Sequence, residues 1–305
     1  MVGVLIQEPH FQMDPLTTQQ TAAYLIRLGV PEGEPFTADL DMLRTLVEAH
    51  VQRITFENVD VLVGRTVELD VTSLFTKIVE QGRGGYCSEL NSLFARLLQA
   101  LGYRLRLRMA RVRWGLSQEA PTTIKQHLVI IVELPEGEHL VDVGFAAANP
   151  YLPLPLSERK ESMDHPYLLR PLGAEADCEP GTLELCVRGR NEWIPMYRIE
   201  PRDQRWRDCV PLNWYTCTNP DSILRRVLVI SRSDGEARLT LFNGHYRRRL
   251  RRRGWDAVEK RDIMNVDEVL SLLQNEFGLL LCPDDLTQLR ARLATLIHEE
   301  VHFSY

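Results

Sequence analysis

Arg104-Leu105-Arg106-Leu107-Arg108-Met109-Ala110-Arg111-Val112-Arg113 alternates charged and apolar residues over ten positions, with one break at Ala110. Successive side chains of a strand point to opposite faces, so this pattern predicts a strand with one buried and one wet face. It also marks a change of character along the chain. Upstream, apolar residues recur at helical spacing; downstream, they come in short β-branched runs.

Working outward towards the N-terminus, Asp14-Pro15-Leu16 predicts a helix start. Tyr24, Leu25 and Leu28 share one face, and Gly29 with Pro31 ends the segment. Leu40, Leu43, Leu46 and Val47 predict a second helix from Asp39 to His50, and a third is predicted from Val71 to Glu80. Between them, Ile54 to Asp60 mixes apolar and acidic residues. A fourth helix begins at Cys87, with Leu90, Leu93, Phe94, Leu97, Leu98 and Leu101 on one stripe and Gly102 as the stop.

Towards the C-terminus, His127 to Leu134, the turn Pro135-Glu136-Gly137 and His139 to Val143 predict a β-hairpin. Asn149-Pro150-Tyr151-Leu152-Pro153-Leu154-Pro155 reads as a rigid surface loop. Thr182 to Val187 and Trp193 to Ile199 are strand-like. In the last third, Arg226 to Arg232 and Ala237 to Phe242 predict a strand pair, and Asp267 to Phe277 and Pro283 to His298 predict helices. Helices, then antiparallel strands, then a mixture give an α+β class.

The 305 residues suffice for two or three domains. A net charge of −6 argues against a general nucleic-acid binder. No apolar run reaches the roughly 18 residues of a membrane span. Met1 to Glu8 lacks the basic and apolar regions of a secretory signal, so a cytoplasmic protein is expected. No CxxC pair exists, so structural zinc is not expected. Cys178, Cys186, Cys209, Cys217 and Cys282 read as buried or neutral thiols. The basic run from His245 to Arg253 reads as a solvated strand, with attraction for a phosphate ligand as the alternative.

The chemistry centres on Arg83-Gly84-Gly85-Tyr86-Cys87-Ser88-Glu89-Leu90-Asn91. It places a thiol at the positive end of a helix, beside the charge of Arg83. Such a setting lowers a cysteine pKa from about 8.5 by several units. Gly84 and Gly85 permit close approach of backbone or substrate. The same residues also fit a plain turn followed by a small core residue. A thiol nucleophile needs an imidazole to take its proton and an acid to hold the imidazole. His127 opens the first hairpin strand and Asp142 lies near the end of the second, so antiparallel pairing brings them together. His127 equally fits a polar residue at a strand start. His139 is a rival base, though it sits at the turn edge.

Beyond these residues, the stretch Arg83 to Asn91 resembles the active-site motif of the arylamine N-acetyltransferase family. Ile54-Thr55-Phe56-Glu57-Asn58, His127-Leu128-Val129, Val141-Asp142-Val143-Gly144-Phe145 and Asn213 to Ser222 are similar to further segments of that family, in its order. The resemblance runs from about Thr17 to Leu241. It implies a Cys87–His127–Asp142 triad at the junction of the first two of three domains. These are a helical bundle carrying the nucleophile (1–103), an antiparallel β-barrel carrying base and acid (104–209) and an α/β lid (210–305). It implies acetyl transfer from acetyl-CoA, through an acetyl-cysteine, to a small aromatic amine, hydroxylamine or hydrazine. No permanently bound cofactor, metal, nucleic acid or membrane partner is expected. Glu57 and Arg83 are the implied supporting pair, and Phe56, Tyr86, Ser88 and Gln126 the implied acceptor contacts. Thr123, Gly144, Phe145, Tyr215 and Ser222 are the implied CoA contacts. Two departures stand out. Ser88 replaces a bulky aromatic and is expected to widen the acceptor pocket, and Ala146-Ala147 replaces a glycine pair in the loop after the acid. An amide synthase taking a carrier-bound polyketide, or a thiol hydrolase or transglutaminase-like enzyme, uses the same triad.

Overall fold

The structure, a computed structural model, describes residues 13–30, 36–146, 148–157, 166–173, 178–189, 192–250 and 257–299. The expectations that rest on Met1–Glu8, Pro31, Ala147 and Arg251–Arg253 fall outside these residues.

Local capping chemistry sets the first helices. In α1 (Thr18–Leu28), the Thr17 hydroxyl accepts the Gln20 N–H while the Gln20 side chain accepts the Thr17 N–H. This reciprocal cap moves the start from the predicted Asp14 to Thr18. Gly29, at φ 66°, closes the helix in the left-handed conformation. Helix α2 (Leu40–Arg53) is capped by the Asp39 carboxylate and runs three residues past the predicted end. The segment after it forms β1 (Phe56–Glu57) and the short α3 (Val59–Leu62). Helix α4 (Val71–Phe75) continues into a π-turn, Thr76–Glu80. Helix α5 (Cys87–Ala100) is buried on every side from Cys87 to Leu98, so it runs through the core and not along its surface.

The middle of the chain supplies β2 (Arg104–Val112), β3 (Lys125–Leu134), β4 (Gly137–Val141), β5 (Leu154–Pro155), β6 (Tyr167–Pro171), β7 (Leu183–Arg188) and β8 (Trp193–Gln204). They form one antiparallel sheet in the order β5-β4-β3-β2-β8-β7-β6. The Tyr151 and Tyr167 rings, 5.8 Å apart, join its two margins, and the sheet curls into a nearly closed barrel. Strand β2 serves two cores. Leu105, Leu107 and Met109 pack with α5, whereas Ala110 and Val112 face the barrel interior. Ordinary alternation accounts for the exchange: the odd-numbered face is apolar up to Met109 and the even-numbered face is apolar at Ala110 and Val112, while the register with β3 shifts at Ala110/Arg111. Strand β3 is buried on both faces, with Leu128, Ile130 and Val132 against α5 and Val129 and Ile131 inside the barrel. That is why its sequence is continuously apolar.

The chain then forms α6 (Trp206–Thr218) and α7 (Ile223–Arg226), followed by β9 (Val229–Ser233), β10 (Ala237–Phe242), β11 (His245–Leu250) and β12 (Ala257–Asp262). A second sheet runs β1-β9-β10-β11-β12, so the early β1 closes a late sheet. Helices α8 (Val266–Asn275) and α9 (Pro283–Leu296) share a third core with this sheet. No helix of the described residues is long and apolar enough to cross a membrane.

Several expectations are corrected. The predicted strand Arg226–Arg232 begins only at Val229, because α7 occupies Ile223–Arg226. The proline-rich loop is not simply a surface feature: Leu154 is buried, and β5 pairs with β4. The expected boundary at 209/210 falls inside α6, a helix that Pro211 had hidden from a periodicity reading. In the basic run, Arg247 pairs with Asp262 and Arg248 with Asp234, at 2.9 and 3.2 Å, so both are tied into the sheet. Cys282 is exposed and caps α9, and Cys178 is half-buried.

Gly84 lies where β1 meets the loop before α5. A Cβ there would stand 1.8 Å from the Thr55 carbonyl oxygen, a backbone atom that cannot step aside cheaply. Gly84→Ala is expected to lower the unfolding free energy by about 2–3 kcal/mol, the cost of overpacking a rigid contact. Urea unfolding checks this, and an unchanged midpoint and slope contradict it.

Candidate active site

Cys87 is the first residue of α5, at the end where unsatisfied N–H groups and the positive dipole end gather. The Glu89 carboxylate accepts the Tyr86 N–H at 3.0 Å and fixes the entry of the chain. Gly144 packs directly against the cysteine backbone, where an added Cβ would meet the Cys87 Cα at 2.8 Å. The thiol lies 3.7 Å from the Gln126 carbonyl, next to His127.

Asn91 is one helical turn beyond Cys87 on the same face. Its amide donates to the Leu128 carbonyl on β3 at 2.7 Å and to Asp142 Oδ1 at 2.8 Å, while its oxygen accepts the Val143 N–H at 2.9 Å. One side chain of the helix that begins at Cys87 thus grips both arms of the β3–β4 hairpin. Asp142, just past β4, is fully buried. Its Oδ1 also accepts the Gly144 N–H at 2.9 Å, and its Oδ2 accepts the Tyr197 hydroxyl and pairs with His127 Nε2, both at 2.8 Å. Burial alone would raise this carboxyl, but the His127 charge and these bonds hold it below the usual carboxylate range.

An ionised carboxylate only accepts, so Nε2 of His127 carries a proton and Nδ1 is left for the Cys87 sulfur. The ring is 2% exposed and wedged between Phe145 and Tyr197, with centroids 5.2 and 4.8 Å away. Burial pushes the imidazole down. The Asp142 charge and hydrogen bond and the contact with Cys87 outweigh it and raise the imidazole to about 10.

Beneath the helix start lies a buried ion network. Arg83 donates to Glu57 through Nε at 3.0 Å and Nη2 at 2.8 Å, and to Asp285 through Nη1 at 2.9 Å. Lys77, on the π-turn, bonds Asp60 at 2.7 Å and Glu89 at 2.8 Å. Glu57 is 0% and Arg83 6% exposed, so this pair is not a surface bridge worth at most about 1 kcal/mol. Removing one partner would strand the other's charge, at roughly 3–5 kcal/mol.

A cavity of about 90 Å³ opens onto the thiol and the imidazole. Of the residues singled out from the sequence, Phe56, Cys87, Gln126, His127, Gly144, Phe145, Ala146 and Ser222 line it. Others lie off its wall. Tyr86 is fully buried and bonds through its hydroxyl to Asn213 on α6. Ser88 is buried in α5, so its small size bears on core packing and not on the cavity. Thr123 caps the Val112 carbonyl at 2.9 Å, and Tyr215 is half-buried on α6. Sequence reasoning missed Val112, Trp114, Thr216, Val229 and Phe242 on the wall, and Asn91 and Tyr197 behind the acid. Only Asn91 carried a signal, its four-residue spacing from Cys87.

A family profile described as N-acetyltransferase matches residues 39–286. The chain is 33% identical over 261 residues to an arylamine N-acetyltransferase of Mycolicibacterium smegmatis, covering 84% of this chain and 90% of that one. It is 35% identical over 262 residues to an arylamine N-acetyltransferase / N-hydroxyarylamine O-acetyltransferase of Salmonella typhimurium, with coverages of 84% and 88%. The fold is similar to the Mycobacterium marinum arylamine N-acetyltransferase in complex with CoA, with a TM-score of 0.80 and 31% identity over 90% of this chain and 99% of that one.

The raised imidazole gives a pH prediction. It stays charged up to about 10 in the folded protein but titrates near 6.5 in the unfolded chain. Its contribution is therefore complete below about pH 6.5 and is lost as pH rises towards 10. From pH 7 to about pH 9.5, the protein is expected to lose unfolding free energy relative to His127→Gln. Urea unfolding of both proteins across that range checks it, and parallel pH profiles contradict it.

Proposed function

The chain belongs to the arylamine N-acetyltransferase family, and from that premise we propose that Cys87 carries an acetyl group from acetyl-CoA to an arylamine, arylhydroxylamine or arylhydrazine. The observation that carries this reading is the buried line from Asp142 through His127 to the thiol, opening into a cavity with apolar walls.

In the first half-reaction, the Cys87 proton resides on His127 and the sulfur attacks the thioester carbonyl. The tetrahedral oxyanion develops at the N-terminus of α5, where backbone N–H groups and the helix dipole favour negative charge. The carbon–sulfur bond to CoA breaks, CoA leaves as a thiol with the proton from His127, and acetyl-cysteine remains. In the second, the amine attacks that thioester, His127 takes its proton, and Cys87 is released. Asp142 holds the ring so that Nδ1 faces the sulfur in both steps. Each acetyl group rests on the enzyme between substrates, so ping-pong kinetics follow.

Glu57 and Arg83 serve as the supporting pair, holding the loop before Cys87 through the buried network. Phe56 and Gln126 belong to the acceptor side and Gly144, Phe145 and Ser222 to the CoA side, a division taken from the family resemblance; that all five line the cavity supports their contact with substrate. In this reading the three buried cores correspond to a helical domain, a barrel and an α/β lid, with the triad where the first two meet.

Incubation with acetyl-CoA alone tests the proposal. Intact-mass and peptide mass spectrometry are expected to find one acetyl group on Cys87 together with released CoA, and no adduct in Cys87→Ala. Addition of aniline should discharge the adduct as the anilide. Absence of an adduct, or an adduct that survives in Cys87→Ala, contradicts it; discharge only to acetate points to a hydrolase.

A further inference from the structure

Lys77 holds the loop before the thiol from both ends. It lies in the π-turn Thr76–Glu80, where the Gln81 N–H donates to the Thr76 carbonyl at 2.9 Å. The Lys77 carbonyl, which Gln81 would engage in an α-helix, accepts the Arg83 N–H instead, at 3.1 Å. The Lys77 ammonium donates to Glu89 Oε1 at 2.8 Å, and Glu89 Oε2 accepts the Tyr86 N–H at 3.0 Å. One residue thus meets Arg83 through its backbone and, through Glu89, the last N–H before the thiol. Gly85 makes the second contact possible, since a Cβ there would stand 2.8 Å from the Glu89 Cβ.

The charge of Lys77 matters as well as its reach. Glu89 is 1% exposed. It faces the like charges of Glu57 on β1 and Asp60 on α3, and the Tyr86 and Cys217 side chains lie within its field. Burial above all, with those two acids, pushes its carboxyl up to about 7, and Lys77 is the cation that opposes them. Arg83 is engaged by Glu57 and Asp285. A glutamine at 89 would cap the Tyr86 N–H with no counter-charge, whereas a buried carboxylate keeps its place only with a cation beside it. We propose that Lys77 is a positioning residue for the nucleophile: through Glu89 it fixes the first turn of α5, and with it the thiol and the N–H groups that receive the oxyanion. The inference rests on the reading of Cys87 as the acetyl carrier.

The test is the rate at which iodoacetamide alkylates Cys87 at pH 8, where most of the wild-type Glu89 is ionised, read by peptide mass spectrometry on folded protein. It compares the wild type, Lys77→Gln, Glu89→Gln and the double variant. Lys77→Gln leaves the Glu89 carboxylate to take a proton or move, and is expected to slow alkylation at least fivefold, roughly the worth of one lost helix cap. In the Glu89→Gln background no charge is stranded, so the slowing is expected to be less than half as large. Lys77→Met, which keeps the apolar stem, takes its place under the same thresholds should Lys77→Gln not fold. Slowing of less than fivefold, or slowing of half that size or more in the Glu89→Gln background, overturns the inference. Acetyl-CoA has no part in this assay. An absence of acetyl adduct on wild-type Cys87 therefore defeats the acetyl-transfer reading separately, and the alkylation rates decide whether Lys77 positions the thiol.

Discussion

A single buried carboxylate organises this molecule. Asp142 is fully enclosed and takes four hydrogen bonds from the described residues, from Asn91 on α5, His127 on β3, Tyr197 on β8 and the Gly144 backbone. An isolated carboxylate could not stay ionised there, since removing it from water costs several kcal/mol or more. Four donors offset that cost, and they come from α5, β3, β8 and the backbone just after the acid. The requirement to satisfy one charge thus ties α5, the hairpin and β8 into one arrangement.

The position of the imidazole follows from that arrangement. Because Asp142 engages Nε2, the tautomer and the ring plane are set, and the Phe145 and Tyr197 rings flank the imidazole. The sulfur is set separately, by the α5 start, the Gly144 contact and the network around Arg83 and Lys77. That network reaches Asp285 on α9, so the C-terminal elements support the same loop whose thiol they help to enclose. The cavity is consequently a seam property. Its walls come from the helical part, the barrel and the second sheet, and no one core contains it.

Much of this was legible in the sequence, for identifiable reasons. The α5 stripe, the Arg104–Arg113 alternation and the 127–143 hairpin are local patterns, and the structure has helix, strand and hairpin at those places. A Gly-Gly pair permits close approach, and Gly84 abuts the Thr55 carbonyl. What escaped depends on distant partners. Strand β1 is two residues long and pairs with β9, Phe56 with Ser231 and Glu57 with Ile230, so no window contains its reason. Helix α6 has weak periodicity and an internal proline. Tyr197 and Phe242 are ordinary strand residues until folding brings them to Asp142 and to the cavity. Tyr86 and Ser88 flank the cysteine in sequence, yet the helix turns them into the core, because neighbours along a helix point in different directions.

The most direct measurement of the hub is the rate at which iodoacetamide alkylates Cys87 at pH 7, read by peptide mass spectrometry, in the wild type and in Asp142→Asn. This substitution keeps the shape of the side chain but places a donor where His127 needs an acceptor. If Asp142 organises the thiol–imidazole pair, alkylation slows on the order of a hundredfold or more, in keeping with the loss caused by the wrong imidazole tautomer in other triads. Equal rates in two folded proteins would contradict it.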